Sequence, residues 1–111
     1  MTDTITETKH WTQALAIALC VEIENIAPRF GCHVALTGGS LYKPGVRKDA
    51  DILFYRIRQR DEIDIVGLMG AMRDELGVVP GAHHGWVRKA TYQGRDIDFF
   101  FPENPEGDDY V

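Results

Sequence analysis

One stretch constrains this chain more than any other: Asp49-Ala50-Asp51-Ile52-Leu53-Phe54-Tyr55-Arg56, in which two acids lead into four consecutive apolar or aromatic residues. The Ile52-Leu53-Phe54-Tyr55 run is apolar on both faces, which predicts a central strand of a sheet. Side chains alternate across a strand, so Asp49 and Asp51 share a face, their α-carbons roughly 6.6 Å apart, twice the strand rise. Two like charges side by side at the head of an apolar strand are costly unless something neutralises them. Carboxylates at this spacing can converge on a pair of divalent ions about 3.5–4 Å apart.

The other elements follow from periodicity and punctuation. Trp11, Leu15, Leu19, Ile23 and Ile26 fall at helical spacing and form an apolar stripe. Thr4 and Glu7 have capping-box spacing and would start this helix early, and Pro28 stops it. Cys32 to Thr37 reads as a strand ending in Gly38-Gly39-Ser40, with a short helical turn after it and a basic turn around Pro44-Gly45. Asp61 is placed to cap a second helix, whose stripe is Ile65, Met69, Met72 and Leu76 and which ends at Gly77. Gly67 and Gly70 weaken that helix and allow close packing on the sheet.

The last third reads as strands: weakly at Val78-Val79, then Trp86 to Tyr92 and Asp96 to Phe101, the last two joined by a hairpin turn at Gln93-Gly94-Arg95. His83-His84, between Gly81 and Gly85, reads as a turn, since adjacent strand residues face opposite ways and rarely share an ion. Trp86, Tyr92, Phe99 and Phe101 are expected in the core. The predicted class is α+β, a two-layer arrangement of a mixed β-sheet with helices packed on one face. Residues 1–102 are expected to form one domain, and 103–111 an acidic tail that frays.

Composition narrows the function classes. Among 111 residues, 12 are Lys or Arg and 17 are Asp or Glu, a formal net charge of -5. That balance argues against broad nucleic-acid binding, which needs many cations on one face. No apolar run approaches the ~18 residues of a membrane span. Met1 to Lys9 lacks the features of a secretory signal, so a cytoplasmic location without membrane partners is expected. Cys20 and Cys32 sit in apolar surroundings and read as core thiols rather than a disulfide.

Against this acidic background the segment before Asp49 is locally basic. Gly38 and Gly39 supply backbone that can approach a ligand closely or take positive φ, and Ser40 supplies a hydroxyl. A helix N-terminus following them would favour phosphate. Lys43, Arg47 and Lys48 concentrate positive charge beside that loop, and Arg47 can clamp phosphate bidentately.

The segment from Gly38-Gly39-Ser40 to Asp49-Ala50-Asp51-Ile52 resembles the signature of the DNA polymerase beta-like nucleotidyltransferase superfamily, and the order of elements is similar from the first helix to Phe101. The resemblance is to its smallest stand-alone members, found in bacteria and their phages. It implies that Asp49 and Asp51 bind divalent ions, magnesium or manganese. A third carboxylate, Asp98 by preference with Asp96 as competitor, would complete the site and help activate an attacking hydroxyl. Gly38, Gly39 and Ser40, with Lys43, Arg47 and Lys48, would bind a nucleoside triphosphate such as ATP or GTP. The implied reaction transfers a nucleoside monophosphate to a hydroxyl and releases pyrophosphate. Some small relatives modify a partner protein, so a protein hydroxyl is the acceptor the resemblance suggests. Two other classes compete. One is a catalytically silent module that keeps the fold and binds or inhibits a partner. The other is a metal-dependent nuclease, in which the Gly-Gly-Ser loop would have no evident task.

Overall fold

A computed structural model describes residues 10–38 and 46–103. The predicted early cap at Thr4 and Glu7, the turn at Pro44-Gly45 and the helical turn after Gly38 lie outside the described residues. So does the acidic tail beyond Glu103, whose own side chain accepts a hydrogen bond from the Arg56 backbone N–H at 2.9 Å.

The chain begins with a two-residue strand, β1 (Trp11–Thr12), which runs into helix α1 (Gln13–Glu24). A 3-10 turn (Ala27–Phe30) leads to β2 (Cys32–Thr37). Then come a second two-residue strand, β3 (Val46–Arg47), and the long β4 (Asp49–Arg56). Helix α2 (Ile65–Leu76) follows, and then β5 (Val79–His84), β6 (Val87–Tyr92) and β7 (Arg95–Phe100). Five strands make one mixed sheet in the order β2-β4-β7-β6-β5, and β1 pairs with β3 separately. Within the sheet β4 and β7 are parallel, and every other neighbouring pair is antiparallel. The class is α+β, as expected.

Alternation along β4 decides which face is which. Ala50, Ile52 and Phe54 are fully buried and join Ile97, Phe99 and Phe101 under the helices in a single apolar cluster. Phe54 stacks on Phe101 at 4.7 Å between centroids and meets Phe99 edge-on at 5.3 Å. Asp49, Asp51, Leu53 and Tyr55 point the other way, to a face that carries no helix among the described residues, and Tyr55 is exposed. The apolar run of β4 thus marks a central strand, as predicted, but one that helices cover on a single face among the described residues.

Several expectations are corrected. In α1 the buried positions are Ala16, Leu19 and Ile23; Leu15 is 39% exposed, about 100° round the helix from Ala16. Trp11 lies in β1 rather than in the helix, which starts at Gln13 and is capped by Thr12, whose hydroxyl accepts from the Leu15 N–H at 3.1 Å. The cap of α2 is Asp64 and not Asp61: the Asp64 carboxylate accepts from the Gly67 N–H at 3.0 Å. Gly67 permits close packing, but against Phe30 of the 3-10 turn rather than the sheet, and a Cβ at Gly70 would meet open space. His83-His84 belongs to β5, and the turn falls at Gly85-Trp86. Trp86, expected in the core, is 40% exposed. Both cysteines are free, and burial pushes the Cys20 thiol up to about 11 and the Cys32 thiol up to about 12, consistent with packing thiols. No helix among the described residues is long and apolar enough to cross a membrane.

Candidate functional site

The parallel pairing of β4 with β7 assembles the acids. Asp49 lies opposite Asp96 and Asp51 opposite Asp98, so four aspartates occupy two neighbouring rows on the open face. They are not equivalent. Asp49 and Asp96 are exposed, whereas Asp51 and Asp98 are half-buried, Asp98 with 18% of its side chain accessible. Burial raises the pKa of Asp51, and the Asp98 and Asp49 carboxylates raise it further; Arg47 and Lys89 pull the other way. Asp98, rather than Asp96, is therefore the carboxylate that crowds Asp51.

Nothing in the local sequence around Lys89 marks it as part of a site. On β6 it lies opposite Asp98, and its Nζ donates to the Asp98 carboxylate at 2.9 Å. That hydrogen bond and the charge of Asp98 raise the Lys89 pKa. A cation two strands away from β4 can be found only once the strand order is known.

At the other end of the constellation, the strand β2 leaves the sheet at Gly38. Its φ is +69°, and a Cβ there would collide with the Asp51 carboxylate. Glycine at 38 is needed twice over, for a left-handed backbone and for the close approach of Asp51. Gly39, Ser40 and Lys43 lie outside the described residues. Arg47 and Lys48 fall within them, and both are exposed beside the acids. Arg47 is placed by β3, where it pairs with Trp11. Trp11 is itself locked: its indole Nε1 donates to the Asp96 carbonyl at 2.7 Å, its ring stacks near Tyr92, and the Arg95 guanidinium lies over it at 5.8 Å. A buried tryptophan thus ties both the basic segment and the start of β7 to one anchor.

Three grooves meet at these acids. One of about 360 Å³ is lined by Val46, Arg47, Lys48, Asp49 and Asp51. A second of about 470 Å³ runs past Asp49, Lys89, Asp96 and Asp98. A third of about 300 Å³ lies between Asp51, Leu53, Trp86 and Phe100. Their volumes fall within or at the lower edge of the range of small-ligand sites.

Among the described residues no three His, Cys, Asp or Glu side chains form a ready-made metal cage. The donor set nonetheless suits a hard divalent cation. Magnesium is commonly held by one or two carboxylates completed by substrate phosphates rather than by an all-protein cage. Asp49 and Asp51 are the residues that could supply those carboxylates, and the raised pKa of Asp51 marks a place where added positive charge would be stabilising. Neither a protein-family model nor a curated protein matches this sequence, so the reading of the site rests on its own residues.

Proposed function

We propose that the chain transfers a nucleoside monophosphate from a nucleoside triphosphate to a hydroxyl acceptor. The observation that carries the reading is the convergence of Asp51 with Asp49 and Asp98 beside Gly38, flanked by Arg47 and Lys48. Asp49 and Asp51 would hold magnesium or manganese, which supplies charge neutralisation for the triphosphate. Arg47 and Lys48 hold the outer phosphates, and the Gly38 backbone allows close approach. Asp98 accepts the proton of the acceptor hydroxyl as its oxygen bonds to the α-phosphorus. The bond from that phosphorus to the bridging oxygen breaks, and pyrophosphate leaves. Lys89 orients the Asp98 carboxylate through their ion pair. A hydroxyl on a partner protein is the acceptor class we favour, and a cytoplasmic setting fits such a role.

One observation supports a second reading, a silent module that binds a partner: Lys89 already engages the third carboxylate. Thermal melting with magnesium and each nucleoside triphosphate separates the two. A ligand at about 100 times its dissociation constant stabilises by ~2.7 kcal/mol. The enzyme reading expects a metal-dependent shift in the wild type that is lost in Asp49→Ala. The silent module expects no shift in either.

A further inference from the structure

We propose that the apolar groove between Leu53, Trp86 and Phe100 holds the nucleobase of the triphosphate, with the base stacked on the Trp86 indole. The inference rests on the nucleotide reading above and specifies its second half.

Asp51 lines two grooves of opposite character. On one side are Arg47, Lys48 and Asp49. On the other are Thr37, Gly38, Leu53, Trp86 and Phe100. A nucleoside triphosphate has the matching asymmetry: an anionic chain at one end, a planar apolar-faced ring at the other, and the α-phosphate between them. With the α-phosphate at Asp51 and the outer phosphates toward Arg47 and Lys48, the ring is directed into the apolar groove.

Trp86 is suited to receive it. A large aromatic side chain at 40% exposure is held at a tight turn rather than in the core. Its backbone is fixed, since its carbonyl accepts from the Phe101 N–H at 2.8 Å, and its ring leans on Phe100 at 6.0 Å between centroids. The indole is therefore positioned before any ligand arrives, which lowers the entropic cost of binding. Among the described residues the groove offers one side-chain hydroxyl, Thr37, and no side-chain amide. Recognition by stacking rather than by base edges follows, so purines should bind more tightly than pyrimidines.

The test is titration calorimetry with magnesium and either ATP or inorganic tripolyphosphate, on the wild type, Trp86→Ala, Trp86→Leu and Trp86→Phe. The expected result is a loss of about tenfold or more in ATP affinity in Trp86→Ala and Trp86→Leu, retention in Trp86→Phe, and unchanged tripolyphosphate affinity throughout. Trp86→Leu keeps apolar bulk without a ring, so it decides the matter if Trp86→Ala does not fold. Equal ATP affinity in all variants overturns the base site and leaves the nucleotide reading intact. An equal loss for both ligands assigns Trp86 a merely structural role and also overturns it. If the wild type binds neither ligand, the nucleotide reading fails and the base site with it.

Discussion

Neighbouring residues of β4 meet very different surroundings. Ala50, Ile52 and Phe54 close a core with the helices, while Asp49 and Asp51 stand with Asp96 and Asp98 on the opposite face of the same strands. On the helix side each side chain stabilises the fold through apolar area removed from water. On the open side Asp51 is held half-buried among like charges, an arrangement that opposes folding when the carboxylate is ionised. A strand that carries both sets teaches that the open face is not spare surface. A half-buried carboxylate with a raised pKa beside other acids is what makes this face the candidate site.

The largest effect should come from the closed face. Phe54→Ala removes a ring packed on Phe99 and Phe101 and should cost about 3–5 kcal/mol in urea unfolding. Tyr55→Ala, one residue along on the open face, should cost far less; equal losses would erase the contrast between the faces.

Gly38→Ala comes next. The left-handed backbone alone should cost roughly 1–2 kcal/mol. The new methyl group also displaces the Asp51 carboxylate, so metal-dependent nucleotide binding should fall more than stability does. Binding retained at full strength would show that Asp51 need not occupy this position.

Trp11→Phe shrinks the buried ring and removes the donor to the Asp96 carbonyl. The lost hydrogen bond alone should cost about 1 kcal/mol, together with a measurable loss of nucleotide affinity, because Arg47 pairs with the same residue. A stability loss with affinity unchanged would confine Trp11 to the core.

The smallest effect has the opposite sign. Burial and the Asp98 and Asp49 carboxylates raise the Asp51 pKa, so between the unfolded value and the raised one the folded chain holds a proton that the unfolded chain releases. The contribution of Asp51 to stability is therefore most favourable at low pH and declines as pH rises through the raised value. Asp51→Asn, neutral at every pH, should be slightly more stable than the wild type at pH 7 without metal. That advantage should vanish below about pH 4, where the acid is protonated in both states. An Asn variant less stable at neutral pH would mean that Asp51 is a structural partner.

Much of this was readable in the residues. The strand Cys32–Thr37 and a strand from Asp49 to about Arg56 are legible in the sequence, because apolar content and glycine punctuation are local signals. The Met-rich stripe of α2 and its Gly77 terminus were legible for the same reason. Of β5 only the start, at Val79, was legible, since Pro80, Gly81, His83 and His84 are all exposed and the rest of the strand shows only in its pairing with β6. β1 and β3 are two residues each, too short to leave a period. An indole carries no mark of its exposure, so the half-exposed Trp86 reads as core in the sequence. Within the site, the sharing of one face by Asp49 and Asp51 followed from alternation. The pairing of Asp51 with Asp98, and the ion pair to Lys89, depend on a strand order that no local pattern encodes.

The central claim is that the open face holds a metal–nucleotide complex, and manganese makes that visible. Amide spectra of the labelled chain would be recorded with substoichiometric Mn2+ and a nucleoside triphosphate. The account predicts paramagnetic broadening that is strongest at residues 49–51, 96–98 and Lys89, weaker on α1 and α2 across the sheet, and abolished in Asp51→Ala. Broadening that is absent from these strands, or that persists unchanged in Asp51→Ala, would contradict it.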